Sequence, residues 1–272
     1  MTTIAATAAP AEMRIPFGRL LKVEFRKSWD TRAGFWLLFS IGGLVLVAEL
    51  IAAIVRGIHD HEHPLYVAAG NGMQWGDFAT VAGVVTELLL PVLGILLVTG
   101  EWSQRTGMVT FTMEPRRSMV IWSKALVGVL LSLATVVFVV LAGAVFNALY
   151  GAIAGHIDWS FSVKGLIGFF IAQVLAMLTG FAFACLCLSS PASIVVYVAL
   201  RFVVPTLIAI GENLMSWFNS FGPWIDFQNA QTPLYDWSFT GKEWGQLIVS
   251  GLIWLVLPLV IGVWHILRAE VK

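Results

Sequence analysis

GEWSQRTGMVTFTMEPRRSMVIWSK, residues 100–124, is a polar, basic insert between two long apolar runs. Its flanks decide the fold. Uncharged runs longer than about 18 residues read as membrane-spanning helices. Composition agrees: the chain is 58% hydrophobic and 12% charged, with mean hydropathy +0.86, against the roughly 45–50% apolar content of a soluble domain. Such a chain has too little polar surface to face water on all sides.

Working outward from the insert, six runs are long enough to cross about 30 Å of hydrocarbon. They fall at 33–55, 78–99, 121–149, 165–189, 191–210 and 246–267. The expected fold is an all-α membrane protein with six transmembrane helices. Ser189-Ser190-Pro191 makes a hairpin of spans four and five, with Ser190 able to cap the next helix and Pro191 in its first turn.

Lysine and arginine placement predicts orientation. Arg14, Arg19, Lys22, Arg26, Lys27, Arg32, Arg105, Arg116, Arg117, Lys124, Arg268 and Lys272 lie on one side, against Arg56, Lys164 and Lys242 on the other. Both termini and the 100–124 insert are expected to be cytoplasmic, in a multi-pass protein of the plasma (inner) membrane. Net charge is zero, which gives no field for nucleic acid.

Residues 1–15 lack the pattern of a signal peptide and read as a disordered tail. Ahead of span one, residues 16–32 set Phe17, Leu20, Leu21, Phe25 and Trp29 at helical spacing. Arg19, Lys22, Arg26 and Lys27 lie largely on other faces. This predicts an amphipathic helix in the headgroup layer, in contact with lipid; a charged flank that only sets topology is the plainer alternative. The outer segment 211–245 carries nine aromatic residues and two prolines, which predicts short outer helices between spans five and six. The remainder, 33–272, forms the transmembrane domain.

The sequence lacks several catalytic signatures. It has no G-x-x-x-x-G-K-[ST] nucleotide cradle, no G-x-S-x-G elbow and no H-E-x-x-H helix. Cys185 and Cys187, two apart in an apolar helix, point in different directions and read as small hydrophobes. His59, His61 and His63 alternate; on an extended segment their imidazoles would face one way, as a weak metal-site candidate or a solvated loop.

Ionisable groups inside spans are costly and mark functional sites. Glu49, Glu87 and Arg201 are such groups, and Arg201 is expected to pair with Glu87 or Glu49, as a packing ion pair or as part of a substrate path. Pro91, Pro205 and Pro258, inside spans two, five and six, each remove a helix hydrogen bond and can kink their helices.

Glu101, Arg105-Thr106, Pro115-Arg116 and Lys124 together resemble the stretch after the second helix in ATP-binding-cassette type-2 exporter permeases. That pattern is a Glu, a Gly-Thr or Arg-Thr, a Pro-x-Arg or Pro-Arg, and a Lys entering the third helix. Here Arg105 stands where many members have Gly, and Glu114 precedes the proline. The resemblance implies a cytoplasmic coupling helix within 100–118 that docks on a separate ATPase subunit, present in two copies. It also implies a second permease copy, by default a homodimer. This chain would bind no cofactor, ATP and Mg being held by the ATPase. In the family, spans one, two and five line the path and the dimer seam, where Glu49, Glu87 and Arg201 fall. Glu101 would cap helix amides or pair with an arginine; Arg116, Arg117 and Lys124 would grip headgroups or acidic partner residues, or simply set topology.

The expected function is therefore the permease subunit of an exporter for a hydrophobic or amphipathic substrate. An intramembrane enzyme and a non-catalytic sensor or assembly protein are the alternatives.

Overall fold

The computed structural model describes residues 16–103 and 116–268. Among them the chain is helical, with no strand, and six helices are long and apolar enough to cross a membrane. It is a multi-pass membrane protein by this architecture. In chain order the elements are α1 (Phe17–Asp30), α2 (Arg32–Glu62), α3 (Asp77–Ser103), α4 (Arg117–Ala154), α5 (Val163–Cys187) and α6 (Ser190–Leu214). The short α7 (Phe218–Ile225) and α8 (Pro233–Asp236) then precede α9 (Gly241–Arg268).

Each predicted span lies in one of these helices, although α5 ends at Cys187, two residues before the expected limit. Several helices outrun the bilayer. The 38 residues of α4 make a rod of about 57 Å at 1.5 Å per residue, longer than the roughly 30 Å of a hydrocarbon core.

Helix ends follow local chemistry. The Thr31 hydroxyl accepts the Gly34 N–H at the start of α2, Ser162 accepts Gly165 N–H for α5, and Thr240 with Glu243 forms a capping box for α9. The expected Ser190 cap is not formed. Ser189 is the residue before α6, and the Ser190 hydroxyl lies 2.7 Å from that of Thr99 instead, tying α6 to α3.

The two innermost helices are α3 and α5, with 61% and 67% of their most apolar windows buried, against 17% for α6 and 22% for α2 and for α9. Close approach explains the pairing. A side chain on Gly94 would run into the Met177 carbonyl, and one on Gly180 into the Pro91 carbonyl. Leu90, Leu93, Val127, Leu131 and Met177 fill the middle of this core, and Ile95, Phe181, Cys185, Tyr197 and Ile266 fill one end. Cys185 is buried and both cysteines are unbridged.

Pro205 and Pro258 share one local solution. Each lies two residues after a π-helical turn, Ala199–Val203 and Leu252–Val256, in which Val204 N–H reaches the Ala199 carbonyl and Leu257 N–H the Leu252 carbonyl. The wider turn gives room for the proline ring, which otherwise collides with the carbonyl four residues earlier. By contrast α3 runs through Pro91 as continuous helix.

The aromatic segment 211–245 folds into α7, a 3-10 turn at Asn229–Gln231, and α8. Phe227, Ala230 and Leu234 anchor it against Ala172, Ala182, Leu247 and Leu255. The bundle thus has a basic end, where α2, α4 and α6 begin, and a far end closed by this segment.

Candidate functional site

Three groups of polar side chains are built into the bundle. The first is at the basic end, where α1, α3 and α4 meet. Helical spacing puts Leu20, Glu24 and Ser28 on the inner face of α1, and all three are buried. Glu24 Oε2 is 2.5 Å from Lys124 Nζ, and Glu24 Oε1 is 2.7 Å from Lys27 Nζ. Glu101 Oε1 completes the ring, 2.7 Å from Lys27 Nζ and 3.1 Å from Lys124 Nζ. Each carboxylate thus serves both ammonium groups. Burial alone would lower the Lys27 pKa, but hydrogen bonds to Glu101 and Glu24 and their negative charge outweigh it and hold the group above its usual 10.5.

Within this ring the Lys124 side chain is 6% exposed, turned into the protein and paired with Glu24 and Glu101. Glu101, expected to cap helix amides or to pair with an arginine, pairs with the two lysines among the described residues. Arg116 precedes α4, and Arg117 donates to the Ile266 carbonyl of α9 over 3.2 Å. Arg105, Thr106 and Pro115 lie outside the described residues, as does most of the expected coupling segment.

The apolar stripe expected along α1 is also split. Leu20 turns inward, whereas Phe25 and Trp29 are exposed on its flank. Trp29 meets Phe35 edge-on, and the ladder continues through Trp36 to Phe39 along the start of α2.

The second group is at mid-depth. Arg201 Nη2 lies 2.7 Å from Glu87 Oε2, and the Tyr197 hydroxyl donates to the Glu87 main-chain carbonyl. The π-helical turn that contains Arg201 belongs to a class of helix irregularity frequent at functional sites. Beside the pair is a cavity of about 20 Å³, above the roughly 10–15 Å³ that one water needs. Thr179, Gln228 and Gln231 give it polar walls. Glu87 is therefore the partner of Arg201. Glu49 is not: it is fully buried in α2, and neither carboxyl oxygen has a hydrogen-bond partner among the described residues.

The third group is at the far end. The histidines are not on an extended segment, because α2 continues to Glu62. His59 and His63 then share a face, with ring centroids 4.7 Å apart, and His61 falls on another. No set of three or more His, Cys, Asp or Glu side chains arranged to hold a metal occurs among the described residues. His59 Nδ1 instead sits 2.9 Å from Asp60 Oδ1. Asp60 is buried, and its other oxygen accepts the Tyr150 hydroxyl at 2.7 Å and the Met73 N–H at 3.4 Å, pinning the loop after α2 onto α4.

A larger pocket of about 250 Å³ opens at the same end, between the first turns of α3 and α5 and the α8 segment. Trp75, Phe161, Phe169 and Tyr235 line it together with Asp77 and Asp236. It approaches the mid-depth pair through Gly83. A side chain there would begin 3.9 Å from the Tyr235 hydroxyl and 4.0 Å from Glu87 Oε1.

Glu24, Tyr150 and the pocket carboxylates are not singled out by the sequence, and Asp60 stands out there only as a carboxylate among the three histidines. Glu24 left a signal, being four residues from both Leu20 and Ser28 on one helical face. The others lie on segments far apart in sequence, and only the fold brings them together. The chain matches no protein-family model and no curated protein sequence.

Proposed function

We propose that the chain is the permease subunit of an ATP-binding-cassette exporter, moving a hydrophobic or amphipathic substrate with energy from a separate ATPase. The observation that carries this reading is the four-residue ring of Glu24, Lys27, Glu101 and Lys124. Two of its members are the acidic and basic ends of the 100–124 pattern that resembles the exporter family. The ring ties the helices on either side of that insert to α1.

Mechanically, a push on the insert would not bend one helix alone. α1, α3 and α4 would follow as one body, as rigid-element transmission requires. The ATPase, in two copies with ATP and Mg, would bear on the insert from the cytoplasm, in the orientation given by the twelve-to-three division of basic residues. α1 would lie in the headgroup layer, with Phe25 and Trp29 toward lipid and the long side chains of Arg19, Lys22 and Arg26, which flank them on the exposed face, extending their charged ends to the headgroups.

The weakly buried α2, α6 and α9 offer apolar surface to lipid and to a second copy of the chain, the basis for a homodimer. The Glu87–Arg201 pair would lie beside the substrate route.

Reconstitution with an ABC ATPase of the same genome tests the reading. The expected result is ATP-dependent uptake of an amphipathic dye into inside-out vesicles, lost when residues 104–115 are replaced by a Gly-Ser linker. Uptake that needs neither the ATPase nor this segment would contradict it.

A further inference from the structure

The far-end pocket plays no part in the proposed coupling, and its lining is chemically specific. Trp75 and Phe161 meet edge to face with centroids 4.8 Å apart, and Phe169 and Tyr235 lie 6.3 Å apart. Trp75 is held in place by its indole N–H, which donates to the Val140 carbonyl over 3.1 Å. Asp77 and Asp236 are exposed carboxylates of the same pocket, and none of the described residues lining it is basic.

We infer that this pocket binds a small organic ammonium ion carrying an apolar body. Aromatic faces attract a cation through the ring quadrupole, and two carboxylates add full negative charges.

The first turns of α3 and α5 oppose this, because helix N-termini favour anions. Each is worth about +0.5 charge, together about +1 against two carboxylates, and the Asp77 carboxylate additionally accepts the Gln74 N–H just ahead of α3. The Lys164 ammonium in the first turn of α5 is exposed and does not line the pocket, where solvent screens it, so the aromatic faces and carboxylates that do line it select a cation. A neutral hydrocarbon would fill the aromatic walls but leave the carboxylates without a role. Size restricts the choice further. At about 250 Å³ the pocket falls just under the ~300 Å³ at which small-molecule sites begin, so it suits an ammonium with a single ring.

The inference stands on the pocket alone and requires no ATPase. The full chain in zwitterionic nanodiscs is titrated calorimetrically with benzyltrimethylammonium, with its neutral isostere neopentylbenzene, and with phenylmethanesulfonate. Saturable binding of the ammonium, at least about tenfold tighter than either other probe, is expected. The exposed-site variants Asp236→Asn and Asp77→Asn/Asp236→Asn, checked for an unchanged melting temperature, should weaken it, the double variant by about tenfold or more. Equal binding of the neutral isostere, preference for the sulfonate, cation binding unaltered in the double variant, or no cation binding at millimolar concentration would each overturn the assignment. Because no ATPase is present, failure here is separate from failure of the exporter reading.

Discussion

Lys124 Nζ lies 2.5 Å from Glu24 Oε2, with the two side chains 6% and 1% exposed, across a hundred residues of sequence. A charge pair this deep is costly to break by halves. Removing one partner leaves the other buried and uncompensated, which costs about 3–5 kcal/mol, whereas replacing both is far less harmful.

Lys124→Met is therefore expected to lower the melting temperature sharply, and Glu24→Gln added to it to restore part of the loss. Coupling of about 0.5–3 kcal/mol is usual for residues in one network. Thermal unfolding of the four proteins in detergent checks this. Simple additivity would show that the ring is not a unit.

Lys27 gives the ring a pH dependence of known sign. Its folded pKa is raised above 10.5, so the folded state holds this proton more tightly than the unfolded state does. The contribution is fully present below pH 10.5 and fades as pH rises through the elevated folded value. Because the side chain is 39% exposed, solvent screening keeps the effect small. Melting temperature between pH 9 and 12 should fall more steeply for the wild type than for Lys27→Met.

At mid-depth, Arg201→Met leaves Glu87 beside a polar cavity without its cation. A loss of about 3–5 kcal/mol is expected, with partial rescue by Glu87→Gln. Dye transport distinguishes packing from passage. A pair on the substrate route predicts that the rescued double variant stays folded yet transports with altered selectivity, and unchanged transport would assign the pair to packing alone.

Close contact of α3 and α5 makes Gly94 and Gly180 intolerant of size. Gly180→Ala pushes a methyl group into the Pro91 carbonyl, an overpacking cost of about 1–3 kcal/mol or more. Gly43, where no atom of the described residues lies within 4 Å of an added methyl, is the control, and Gly43→Ala should leave the melting temperature nearly unchanged.

Hydropathy made the six spans readable because a spanning helix must be apolar over its whole length, whatever it packs against. Pairings were not readable in the same way. Arg201 had two candidate carboxyls, and only the packing of α6 on α3 selects Glu87 and leaves Glu49 alone in α2. His59, His61 and His63 misled because apolar content stops before the helix does. α2 continues past lipid to Glu62, and helical geometry separates His61 from the other two. Glu24 was concealed by its basic neighbours, although its spacing from Leu20 and Ser28 marked it as inward-facing. The pocket carboxylates Asp77 and Asp236, 159 positions apart in the sequence, carried no local signal.

The central claim, that this chain receives work from a separate ATPase through residues next to the buried ring, is tested most directly by affinity capture from detergent-solubilised membranes. The tagged chain is co-expressed with each ABC ATPase of its own genome in turn. The wild type should retain one such ATPase, and replacing residues 104–115 with a Gly-Ser linker should release it while the membrane protein remains folded. No ATPase retained by the wild type, or one retained equally by both proteins, would contradict the account.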